Sequence, residues 1–143
     1  MIVLDTAVLS YAVGGEHPLR EPARRMVGAV GEGRLVASTT VDVIQEFAQA
    51  FARRRPRGQA ASYARRYATL FSPLLSPSES ALTAGLRLFA RHERLDAFDA
   101  VLAATAIEAG ATALVSGDGA FGGIRGLRFV ELGSAALERL LGR

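Results

Sequence analysis

The residues in this sequence that could do chemistry are carboxylates. Only five aspartates occur, at positions 5, 42, 96, 99 and 118. Asp5 closes the apolar run Met1-Ile-Val-Leu4, and Asp118 lies just past the apolar run Thr112-Ala-Leu-Val-Ser116. Glu46 falls in a helical stretch outside its Ile44/Phe47/Ala48/Phe51 stripe. Asp99 opens a segment whose other residues to Ile107 are almost all apolar. Carboxylates of this kind act as general acids or bases, or as hard oxygen ligands for a divalent cation. Converging on one place, they would repel one another and hold protons above their ordinary range unless a cation bound there. All 17 basic residues are arginine, so no lysine can do it. All-oxygen ligation favours Mg²⁺ or Mn²⁺. Such an ion, with water in its shell, can activate a hydroxide and stabilise a phosphoryl transition state.

Each of these residues also has a plainer use. Asp42, three residues after Thr39, fits a capping box and the positive end of a helix. Asp96 fits the N-cap of the segment that follows it. Asp5 and Asp118 fit turns, and Glu46 a solvated helix position. The joint arrangement carries the argument, not any single spacing.

The elements that must position these groups alternate along the chain. Strands are expected at residues 1–4, 35–37, 112–116 and 127–132, with a further short one at Leu74-Leu75. Helices are expected at 6–12, 20–30, from Thr39 or Thr40 to the Arg53-Arg-Arg55 cluster, 59–71, from the Ser76-Pro77-Ser78-Glu79 capping box to about Arg94, 97–109 and 135–141. Basic residues at the end of the third helix suit its macrodipole. Gly110 stops the 97–109 helix, which is apolar around most of its circumference and therefore expected to be buried. Strands alternating with helices imply a parallel sheet covered on both faces. In such sheets ligands sit beyond the C-terminal strand ends, which is where Asp5 and Asp118 fall.

Composition narrows the chemistry further. With 143 residues, residues 1–143 read as a single domain. Absence of cysteine excludes disulfides, thiolate metal sites and Cys nucleophiles, and two histidines exclude a His-rich metal site. Absence of lysine excludes Walker-A phosphate binding, Schiff bases and Ser–Lys dyads. No apolar run is long enough to span a bilayer and no secretory leader is visible, so a cytoplasmic protein without membrane contact is expected. The arginine excess suits a phosphate-rich partner. Arg53–Arg55, Arg57, Arg65-Arg66 and the Arg87/Arg91/Arg94 row are the candidates to face it, with Tyr11 and Phe121 as possible stacking groups, although core packing is the commoner use of both.

At these residues the chain resembles the PIN-domain family, and in particular VapC-type toxins of bacterial toxin–antitoxin pairs. The motifs that carry the resemblance are Ile2-Val-Leu-Asp5-Thr6 with Leu9, Val43-Ile-Gln-Glu46-Phe, Leu95-Asp-Ala-Phe-Asp99-Ala-Val-Leu-Ala-Ala104, and Leu114-Val-Ser116-Gly-Asp118-Gly-Ala-Phe121. The resemblance implies a three-layer α/β/α fold with a central parallel sheet of four to five strands. It implies a Mg²⁺- or Mn²⁺-dependent endoribonuclease that forms a homodimer and is neutralised by a cognate antitoxin in a hetero-oligomer. It places Asp5, Glu46, Asp99 and Asp118 at the family's acidic positions, with Asp5, Asp99 and Asp118 as metal ligands. Thr6 and Ser116 fall at its supporting hydroxyl positions. Where many relatives carry another acidic or polar residue after the last Asp, this chain has Gly119-Ala120.

Other readings fit less well. A receiver-type phosphorylation domain needs a lysine. A haloacid-dehalogenase-like phosphatase needs a second Asp where this chain has Ala7. A non-catalytic PIN-like RNA-binding or scaffold module has no need of the filled acidic positions. DNA-directed relatives are usually larger.

Overall fold

The structure is a computed structural model and describes residues 1–142. Its centre is a four-stranded, wholly parallel sheet in the order β2-β1-β3-β4, comprising β1 (Ile2–Leu4), β2 (Ala37–Ser38), β3 (Ala113–Ser116) and β4 (Phe129–Glu131). The helices are α1 (Thr6–Val13), α2 (Arg20–Gly31), α3 (Val41–Phe51), α4 (Arg57–Leu70), α5 (Glu79–Arg91), α6 (Ala97–Glu108) and α7 (Ala135–Leu140). The architecture is a three-layer α/β/α sandwich. α1 packs on α2 and α3, and α3 on α4, while α5 and α6 form a separate pair.

The strands are short but buried on both sides. Ile2, Val3 and Leu4 are all buried, as are Ala113, Leu114 and Val115. This is the continuous apolar pattern of a sheet covered on both faces. Phe47, Phe71 and Phe121 fill the space between sheet and helices with no exposed surface. Each contributes roughly 1.5–3 kcal/mol relative to an exposed side chain. Phe121 is thereby committed to the core and is not available to stack on a base. Tyr67 packs edge-on to Phe47, with its hydroxyl donating to the Leu9 carbonyl at 2.8 Å. Burial holds that phenol well above its usual range.

The helix ends follow from their caps. Thr40, Ser78, Asp96 and Ser134 each accept a bond from the backbone N–H three residues on. Gly110, with φ of 71°, takes the left-handed turn that closes α6, which a residue with a Cβ adopts only at a cost. Some expectations are corrected. Of the two threonines expected to cap α3, Thr40 does so, while Thr39 is fully buried and its hydroxyl donates to the Leu4 carbonyl at 2.7 Å, tying the start of α3 to the end of β1. The capping box at Ser76 gives way to Ser78, whose Oγ reaches the Ala81 N–H at 3.0 Å. Leu74-Leu75 is no strand; Leu75 makes only an isolated bridge to Thr40. α5 ends at Arg91, so Arg94 does not continue its helical row. α3 ends at Phe51 and carries no basic residue in its last turn.

Candidate functional site

The chain leaves β1 toward β2 on one side of the sheet and enters β3 on the other, so β1 and β3 flank the topological switch point. Leu4 pairs with Val115, and the Asp5 N–H continues the ladder to the Val115 carbonyl at 3.1 Å. The next residues along, Asp5 and Ser116, therefore emerge side by side at the C-terminal edge. Ser116 Oγ donates to Asp5 Oδ2 at 2.7 Å, and the Thr6 N–H donates to Oδ1 at 2.7 Å. Asp5, and not Thr6, is thus the N-cap of α1. Both of its oxygens are fixed while lone pairs remain for a further ligand. Burial is the main cause that raises its pKa, opposed by the bonds from Ser116 and Thr6 and reinforced by the charges of Glu46 and Asp118.

α3 brings Glu46 to the same edge. The Thr6 hydroxyl donates to Glu46 Oε2 at 3.1 Å, which locks the two helices' functional side chains together. α6 contributes Asp99 from its first turn. Asp96 caps that turn, accepting from the Asp99 N–H at 2.8 Å. Asp99 is half-buried, and its pKa is pushed up to about 7. Burial is the largest cause, followed by the charges of Asp5, Asp96, Glu46 and Asp118. That ordering identifies a place where negative charge has been concentrated and dried.

Asp5, Glu46 and Asp99 line one cleft of about 360 Å³. Asp42 and Glu79 stand at the same cleft, and Leu82, Leu86, Phe98 and Val101 supply an apolar wall. Asp42 forms no capping box with Thr39, because Thr40 is the cap, but it lies in the first turn of α3 as its dipole role requires, and it also stands at the cleft rim one turn before Glu46. The i, i+4 spacing of the two residues is the signal that could have found it. Phe98 is 75% exposed, so α6 is not buried all round as its composition suggests. Nothing in the sequence marks it beyond its place next to Asp99.

Asp118 is placed differently. Its N–H donates to Ser116 Oγ at 2.9 Å, which completes a relay from the Asp118 backbone through Ser116 to Asp5. Its carboxylate is exposed, accepts from the Ala120 N–H at 2.9 Å, and does not line the cleft. It caps the single 3₁₀ turn Gly119–Phe121. Among the described residues no three carboxylate or imidazole groups are arranged to hold a metal unaided. The donor set still fits a hard cation: every group is oxygen, and Mg²⁺ ordinarily keeps several waters and takes only one or two carboxylates.

The comparisons with known proteins give the family and the fold. The family model of the PIN domain matches residues 2–127. The chain belongs to the PIN-domain family. It is 50% identical over 143 residues to ribonuclease VapC7 of Mycobacterium tuberculosis, covering 99% of each protein. That full-length match places it among the VapC-type ribonucleases. Among solved structures it is similar to VapBC2 of Rickettsia felis bound to a promoter DNA fragment, with a TM-score of 0.70 at 17% identity over 92% of this chain and 98% of that one. It is also similar to a toxin–antitoxin complex of Klebsiella pneumoniae, with a TM-score of 0.69 at 17% identity over 91% and 96%. At such identities the likeness is one of fold, and the PIN fold is the one derived above.

Proposed function

We propose that the protein is a metal-dependent endoribonuclease toxin that hydrolyses RNA phosphodiester bonds and is neutralised by a cognate antitoxin. The observation that carries this reading is the convergence of Asp5, Glu46 and Asp99 on one cleft at the strand ends, with the Asp99 carboxyl pushed up to about 7 by burial and neighbouring charge. The full-length kinship with a ribonuclease supports it, as does the metal dependence of VapC nucleases.

Asp5 and Asp99 would hold Mg²⁺ or Mn²⁺, with Asp118 contributing through water. Bound there, the ion would neutralise phosphate charge and acidify a water. The chain's own residues do the rest. Ser116 and the Thr6 N–H fix both oxygens of Asp5, so its lone pairs are presented in one orientation. The Thr6 hydroxyl occupies Glu46 Oε2, which leaves Oε1 as the atom to orient the attacking water or take its proton. The apolar wall limits competing water in the cleft. The catalytic set is therefore Asp5, Glu46, Asp99 and Asp118, with Thr6 and Ser116 in support.

The antitoxin reading is supported by the toxin–antitoxin structures whose fold the chain shares. A homodimer, and a hetero-oligomer with the antitoxin, are part of the same proposal. The exposed Leu82, Leu86 and Phe89 on α5 give a second copy something apolar to cover. No helix among the described residues is long and apolar enough to cross a membrane. RNA and antitoxin both point to the cytoplasm as the place of action.

The test is cleavage of a mixed pool of structured and single-stranded RNAs by the isolated protein with Mn²⁺ or Mg²⁺, with chelator, and with Asp99→Asn. Metal-dependent cuts that vanish in the variant are expected. Absence of both cleavage and metal binding in a folded protein would overturn the reading and favour a non-catalytic scaffold.

A further inference from the structure

A second recess, of about 580 Å³, lies beside the acidic cleft, and no step of the reaction uses it. Arg53, Arg54 and Arg55 line it, facing Tyr11, His17 and Glu16. Three observations set this cluster apart. The arginines follow directly on the C-cap of α3, and all three are exposed. The ion pairs among the described residues are Arg25 with Glu138 and Arg34 with Glu32, so the cluster is not neutralised by pairing. Arg57 adds a fourth exposed charge at the first position of α4, where a cation is disfavoured. Three arginines in the recess lining, against the single carboxylate of Glu16, leave it net positive and attractive to an anion.

The recess lies one helical turn from the catalytic edge. Ser10 on α1 and Ala50 on α3 line it, each one helical turn beyond Thr6 and Glu46, a rise of about 6 Å. Tyr11 also packs against the turn between Ser116 and Asp118: a Cβ on Gly117 would stand 3.1 Å from its ring. The Tyr11 and His17 rings are stacked at 4.3 Å. His17 Nδ1 accepts from the Leu19 N–H at 3.1 Å, which leaves Nε2 as a donor.

Resting on the ribonuclease reading above, we infer that this recess is a backbone-binding subsite for single-stranded RNA flanking the scissile phosphate. Arg53 and Arg54 bind its phosphates, and the Tyr11–His17 pair offers a face to an unpaired base. Arg55 lies 5.8 Å over the Phe51 ring and also serves packing, so the test spares it.

The experiment measures binding of a fluorescent single-stranded RNA of about ten nucleotides, across a salt series, to the full chain and to Arg53→Ala/Arg54→Ala, with Mn²⁺ affinity and melting temperature as controls. Removing one arginine–phosphate interaction lowers the salt slope by about 0.7, so the double variant should lose about 1.4 and bind roughly tenfold more weakly at low salt, with Mn²⁺ affinity unchanged. An unchanged slope and affinity in a folded variant would overturn the subsite while leaving the nuclease intact. Arginine-dependent binding by a folded protein that neither binds Mn²⁺ nor cleaves RNA would uphold the recess as an RNA site and remove the nuclease reading. Polyglutamate competing as well as RNA of equal charge would reassign the recess to an acidic protein segment and overturn the RNA assignment.

Discussion

Asp99 concentrates the energetics of the site in one residue. Its carboxyl pKa of about 7 lies above its ordinary value of 3.8. Between those values the folded protein keeps a proton that the unfolded chain has released, so the group's contribution to stability falls as pH rises across that window. Above it the destabilisation is complete. Asp99→Asn removes the charge but keeps the shape. The variant should lose cleavage, and in the absence of metal it should melt at a higher temperature than the parent. That gap should widen from about pH 4 to about pH 7, as calorimetry at several pH values would show. A metal must displace the same proton, so Mn²⁺ affinity should rise with pH through about 7 and proton release should accompany binding. Ser116 acts through Asp5 and not on the substrate. Ser116→Ala removes both the bond to Asp5 and the bond from the Asp118 N–H. Metal affinity should fall about 10–100-fold, the usual cost of losing a group that orients a ligand, and titration calorimetry measures it.

Among the elements, α6 is the one whose position matters most, because it carries Asp99. Two features hold it. Asp96 caps its first turn, and Asp96→Ala should cost about 1 kcal/mol in denaturant unfolding and loosen the turn that presents Asp99. Gly85 of α5 lets the two helices approach: a Cβ there would stand 2.8 Å from the Val101 Cα, which is backbone and cannot swing aside. Gly85→Ala should therefore destabilise the fold by about 1–3 kcal/mol, despite the better helix propensity of alanine. A stabilised variant in urea unfolding would contradict the close packing of α5 on α6. Only two residues form β2, and it depends on Thr39 and Ser38 for anchorage. Ser38 Oγ lies within bonding distance of the Phe71 and Pro73 carbonyls, which pins the α4–α5 connection to the sheet edge.

At the scale of the whole molecule, charge is divided between two neighbouring recesses. The cleft is lined by carboxylates and apolar side chains, while the recess one turn away is lined by arginines. A polyanion is repelled by the first and drawn by the second until a cation occupies the carboxylates. RNA binding should therefore be strengthened by Mn²⁺, and the gain should disappear on adding chelator in an anisotropy titration. The exposed apolar strip of α5 predicts association as well. Phe89→Glu, outside the cleft wall, should shift the protein toward monomer in light scattering if a second copy covers that strip.

Much of this was legible in the sequence. Apolar runs ending in Asp5 and Ser116-Gly-Asp118 announced parallel strands and put carboxylates at one sheet edge, because burial on both faces leaves only the strand ends for polar groups. Asp96 and Gly110 announced the limits of α6, because caps are local chemistry. The tertiary structure decided what local chemistry leaves open. It chose Thr40 over Thr39 and Ser78 over Ser76, since adjacent hydroxyls compete for one cap and only packing fixes which is free. It turned Asp42 into the cleft, gave Asp118's carboxylate to Ala120, left Phe98 in solvent and carried Arg53–Arg55 past the end of α3. Sequence spacing determines which residues share a strand end or a helix face. Which of those faces meet, and therefore which charges gather, is settled only when the helices pack on the sheet.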